Sequence, residues 1–184
     1  MLAEDKQKII NISKLILKSL FSISVSIALI SLPKLAQVIK LFETDKKYRN
    51  KFNREIYRLK KYGYIKTYKK GGEIVIDITK KGIKLVKKYN LEDLELKKEP
   101  RWDKNWRMVL FDIPENKKSA RASLRRKLEQ LGFLRYQKSV FIYPYSCRDE
   151  INFISNYFGV ENFINYIIVK RINNDKKFKK HFDL

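Results

Sequence analysis

The sequence predicts an α+β protein of two small domains, and three observations carry that prediction. Between Met108 and Tyr145 a short apolar run gives way to a helical period and then to a strand-like run. Between Lys34 and Ile78 two helical stripes precede two β-rich runs placed about a Gly-Gly pair. With 184 residues, 44% of them apolar, the chain is long enough to close two cores and too apolar for a disordered basic tail.

In chain order, residues 1–33 read as an apolar helical segment. Ser19 to Leu32, SLFSISVSIALISL, holds 14 residues without a charge. A transmembrane helix wants about 20 apolar residues, and Pro33-Lys34 supplies no small-residue cleavage site for a signal peptide. The segment is therefore expected to be buried, or to pack between protomers, with no stable membrane insertion. Pro33 suits the first position of the next helix, Lys34 to Phe42, where Leu35, Val38, Ile39 and Phe42 share a face.

A second helix follows over Tyr48 to Tyr62, with Phe52, Ile56, Leu59 and Tyr62 as its inward stripe. Its other face carries Arg49, Asn50, Asn53, Arg54, Tyr57, Arg58 and Lys61, and Gly63 is placed to cap it. Then comes YIKTYKKGGEIVIDIT, a hairpin turning at Gly71-Gly72. Thr79 to Tyr89 reads as a closing helix with Ile83, Leu85 and Val86 inward. Helix, helix, hairpin over residues 34–89 is the order of a winged helix-turn-helix.

That order has a direct physical reading for duplex DNA. The major groove admits one α-helix, and arginine and asparagine make bidentate contacts to guanine and adenine there. Lys66, Lys69 and Lys70 of the hairpin would grip flanking phosphates. Between Lys46 and Lys88 stand 16 Lys or Arg residues against Glu55, Glu73 and Asp77, so the charge is concentrated rather than evenly spread. The competing reading of the same face is a solvated helix in a winged helix that binds protein.

Residues 90–101 are polar with one proline and read as a linker. Residues 102–172 form the second domain. Met108 to Phe111 is a buried strand, and Pro114 cannot donate to a ladder, so the strand stops early and presents Asp112 at its carboxyl end. Ala120, Leu124, Leu128 and Leu131 make the apolar stripe of the following helix, which Gly132 closes. Phe133–Gln137 and Val140–Tyr145 read as two strands about a bend. A helix within Ser146 to Phe158 and a strand within Asn162 to Arg171 follow. The sum is β-α-β-β-α-β, a ferredoxin-like order. Residues 173–184 form a basic tail with Phe178 and Phe182, expected to cross a dimer partner or to fray.

These residues also carry a resemblance. A strand ending in FDIP, an arginine-spotted helix, LGF and then QKSVF resembles the Cas-two family, the small subunit of the CRISPR spacer-acquisition complex. The WDKNWRMVLFDIP opening more specifically resembles the central domain of PaaX-type transcriptional repressors, where that module follows a winged helix. The resemblance implies a homodimer paired through the ferredoxin-like domain, and a repressor of transcription. From the Cas-two side it implies a metal ligand, and under that alternative a catalytic residue, at the strand-end aspartate, here Asp112. With Glu115 nearby, magnesium would be held by carboxylates and water. An aspartate before Ile-Pro is also an ordinary turn former. PaaX-type repressors usually carry a further C-terminal domain, which this sequence does not show, and that leaves an inducer site open.

Charge and composition narrow the remaining classes. Lys plus Arg is 42 against 20 acidic residues, a net +22, which calls for a polyanionic partner. The single Cys147 rules out an internal disulfide and a cysteine metal cage and suits a reducing cytoplasm. No phosphate-binding glycine loop, dinucleotide fingerprint or zinc spacing occurs. Double-stranded DNA is the expected partner and no cofactor is required. A metal-dependent nuclease is the alternative.

Overall fold

The computed structural model describes residues 12–22, 46–70, 73–97 and 99–184. It divides into two compact units, Met1–Glu92 and Asp93–Leu184. The expected helix at 34–42, the apolar run beyond residue 22 and the Gly71-Gly72 turn lie outside the described residues.

In the first unit, helix α1 (residues 12–22) is followed by α2 (Lys46–Lys61), the antiparallel hairpin β1 (Ile65–Lys70) and β2 (Glu73–Ile78), and α3 (Lys80–Glu92). The core draws one or two residues from most of these elements: Ile16 and Leu17, Leu59, Ile65 and Val86. Phe52 and Ile56 pack against that cluster, as their helical spacing with Leu59 requires. Tyr62 departs from the expected stripe. The helix ends at Lys61, so Tyr62 leaves the helical period and is 54% exposed. Thr79 begins α3 by accepting the Gly82 amide on its hydroxyl at 3.2 Å. Gly82 itself is a close-approach position, because a Cβ there would lie 2.2 Å from the Tyr64 carbonyl oxygen. Helix α3 runs to Glu92, into the stretch expected as linker, since nothing in Asn90–Glu92 breaks a helix.

The second unit is β3 (Trp106–Phe111), a 3-10 turn (Glu115–Lys117), α4 (Lys118–Gln130), β4 (Leu134–Gln137), β5 (Val140–Tyr143), α5 (Arg148–Phe158), a second 3-10 turn (Glu161–Phe163), β6 (Ile164–Val169) and α6 (Lys176–Phe182). Its four strands form one antiparallel sheet in the order β4-β5-β3-β6. This is the predicted β-α-β-β-α-β arrangement. Val109 pairs with Phe141 on one side and Tyr166 on the other, so these three share a sheet face. Arg125 lies over Phe111, and the Cys147 amide at the start of α5 donates to the Tyr166 hydroxyl, which places α4 and α5 on that face. Leu124, Leu128, Ile151 and Ile154 are buried there.

The opposite face carries Trp106, Met108 and Ile142, and here the structure corrects the expectation for the tail. Residues Lys176–Phe182 are a helix within the same unit, with Phe178 and Phe182 buried against Trp106 at ring separations of 6.1 Å. Two aromatic side chains four residues apart give a short helix one apolar edge, which is enough to dock it. Trp102 packs against Trp106 at 4.9 Å with the rings tilted by 54°. Arg107 clamps the segment before β3: it donates to both carboxylate oxygens of Asp103 at 2.6 Å and to the Pro144 carbonyl at 2.6 Å. Those hydrogen bonds hold the Asp103 carboxyl well below the usual carboxylate range.

Candidate nucleic-acid interface

Helix α2 owes its two faces to its sequence. Phe52, Ile56 and Leu59 turn it toward the core of the first unit, and the residues between them are polar. Asn50, Asn53, Arg54, Tyr57 and Lys61 recur at i, i+3, i+4, i+7 and i+11, which aligns them along one side. All five are exposed, Tyr57 at 69%, and none has a hydrogen-bond or ion-pair partner among the described residues. A 16-residue helix is about 24 Å long, enough to lie along a major groove. Arg49 and Lys70 belong to α2 and β1, and their side chains fall outside the described residues.

Arg58 stands apart from that row. Its Nε is 3.3 Å from the Glu55 carboxylate, and its Nη2 donates to the Ser13 hydroxyl at 3.3 Å. Ser13 in turn donates to Glu55. Both Ser13 and Glu55 are buried, so this polar triad ties α1 to α2. A buried carboxylate is held only where donors meet it, and two donors do so here. Glu55 and Ser13 are functional residues of the scaffold that the polar-face reading of α2 missed. The signal for Glu55 was its place three residues after Phe52 and four before Leu59, on the inward stripe.

The hairpin divides its lysines in the same way. Lys66 sits across the ladder from Asp77, 3.5 Å from its carboxylate, and lies 5.6 Å over the Tyr68 ring. Tyr68 also donates to Asp77 at 3.1 Å, and this hydrogen bond raises the phenol above its ordinary value. Lys69 is exposed and without an ion pair among the described residues. Lys60 and Tyr62, absent from the predicted set, are exposed beside Lys61 at the end of α2.

Asp112 follows β3 directly and is exposed. Its amide donates to the Phe163 carbonyl at 3.0 Å, an extension of the β3–β6 register. The nearby Glu115 is held by Arg121 at 2.7 Å, and Arg121 also donates to the Ile113 carbonyl at 2.9 Å. Among the described residues no group of three His, Cys, Asp or Glu side chains is gathered to hold a metal ion. Also among the described residues, no helix is long and apolar enough to cross a membrane. Cys147 is buried, which pushes its thiol up to about 12.

These units define the class: an α+β protein whose second half is an antiparallel ferredoxin-like sheet with helices on it. Residues 99–180 match the family model of the PaaX protein central Cas2-like domain, and the second unit belongs to that domain family. The matched segment takes in the Trp102–Trp106 pair, the sheet and most of α6. No curated protein matches the chain.

Proposed function

We propose that this chain is a transcription regulator of the PaaX type, which represses by binding double-stranded DNA as a homodimer in the cytoplasm. The observation that carries the reading is the row Asn50, Asn53, Arg54, Tyr57 and Lys61, exposed along one side of α2 with no partner among the described residues. Exposed arginine and asparagine on a single helix face are the donors that read base edges, and the hairpin's exposed Lys69 would meet phosphate. The PaaX-type domain in the second unit and the net charge of +22 support the same reading. Twofold symmetry of a homodimer would match an inverted repeat in the operator.

The test is selection of binding sites from randomised duplex DNA at about 0.15 M salt, where nonspecific attraction is screened. Magnesium is included and the input DNA is checked for cuts. Recovery of an inverted repeat on intact DNA is the expected result. Magnesium-dependent cuts without a motif would transfer the function to a nuclease centred on Asp112. Neither motif nor cuts would direct the charge to another polyanion, with RNA tested next.

A further inference from the structure

We propose that the second unit holds a binding site for a small organic ammonium with an apolar body, in the pocket where Leu94–Leu96 meets the closing residues of α4 and of α6. The pocket has a volume of about 470 Å³, within the range of small-molecule sites. It belongs to the second unit alone and does not rest on the DNA-reading row of α2.

The walls are apolar and fixed. Leu94, Leu96, Leu131, Tyr143 and Phe182 supply them. Tyr143 and Phe182 are both buried, and their rings meet edge to face at 5.8 Å and 89°. Aromatic ring faces attract cations. Tyr143 adds a second observation. It is only 6% exposed, yet its hydroxyl has no hydrogen-bond partner among the described residues, whereas a buried phenol ordinarily finds one. The pocket is the open space that this side chain borders, so a ligand N–H placed there would supply the missing bond.

The rim sets the sign of the ligand's charge. Glu95 and Asp183 line the pocket, both are exposed, and neither carboxylate has a partner among the described residues. In a chain with 42 Lys and Arg against 20 acids, no described lysine or arginine lines this pocket. Lys179 of the neighbouring helix is instead drawn to Asp175 at 2.7 Å. Asp183 closes α6 in the left-handed conformation, at φ 58°, where glycine would meet no strain. An aspartate there sets a carboxylate at the rim at a conformational cost. Gln130 and His181 add a carbonyl oxygen and an imidazole as further acceptors. An ammonium group donates three hydrogen bonds and finds acceptors for all of them here, whereas an anion would face two carboxylates.

His181 is the single histidine of the chain, so its ring protons report on this pocket alone in a proton NMR spectrum. The full chain is titrated at fixed pH with tryptamine and, separately, with indole-3-propionate, which carries a carboxylate in place of the amine on the same skeleton. Tryptamine should move the His181 signals saturably, and indole-3-propionate should bind more weakly by at least about tenfold. The net charge of +22 favours the anion over the rest of the surface, so a preference for the amine points to this rim. Glu95→Gln combined with Asp183→Asn should weaken tryptamine by more than about tenfold, and Tyr143→Phe should weaken it severalfold. The proposal is overturned by the absence of a saturable shift with tryptamine, by equal affinity for the two probes, or by undiminished binding to the carboxylate-free variant. Should that variant fail to fold, the preference between the two probes in the wild type decides alone.

Discussion

Arg54 and Arg58 sit one turn apart on α2, and among the described residues only Arg58 of the two has an ion-pair or hydrogen-bond partner. Replacing Arg54 with alanine should therefore cost about 1–3 kcal/mol of sequence-specific DNA binding and leave the melting temperature unchanged. Arg58→Ala should do the reverse. It removes one of the two donors that meet buried Glu55 among the described residues, so stability falls by about 1–3 kcal/mol while the preference among sequences is kept. Thermal melts together with titrations on selected and scrambled duplexes separate the two outcomes. The exposed row was legible in the sequence because helical spacing alone aligns it. The Arg58 assignment was not, since its partner Ser13 is 45 residues away and spacing carries no information about that contact. Cys147 supplies a pH test at the same scale. The folded chain holds its proton up to about 12, whereas an unfolded thiol loses it near pH ~8.5. The stability this contributes is complete below that lower value and is lost as pH rises toward the upper one. Denaturant midpoints should accordingly fall above pH ~8.5 less steeply in Cys147→Ser than in the wild type.

At the scale of elements, α3 fits closely against the chain leaving α2. Gly82→Ala places a methyl group 2.2 Å from the Tyr64 carbonyl oxygen, which is backbone and cannot swing away. We expect a loss of about 1–3 kcal/mol, read as a lower denaturation midpoint of the first unit, although alanine is the better helix former. The strand-helix-strand core of the second unit was readable because the period changes from strand to helix and back, with Pro114 and Gly132 as its punctuation. Helix α6 was not readable. Its apolar content is Phe178 and Phe182 among lysines, too short a pattern to distinguish a docked helix from a solvated tail. What decides the matter is Trp106, a residue some 70 positions earlier, whose ring needs a cover.

For the whole molecule, the net charge of +22 makes opposite demands on salt for DNA binding and for self-association. DNA affinity should fall steeply as salt rises, with a logarithmic slope of about −0.9 for each phosphate neutralised. Self-association of two strongly basic chains should hold or tighten, because salt screens their mutual repulsion. Parallel titrations and sedimentation runs over one salt series check both trends, and parallel weakening would show that the same charges serve both. The positions of the two tryptophans add a last consequence. Trp102 and Trp106 both belong to the second unit, and the first unit has none. Tryptophan emission is thus a private optical signal of the ferredoxin-like half, while far-ultraviolet circular dichroism sums both halves. Denaturation curves recorded by the two methods should part company wherever the halves melt separately, giving each its own stability without cutting the chain.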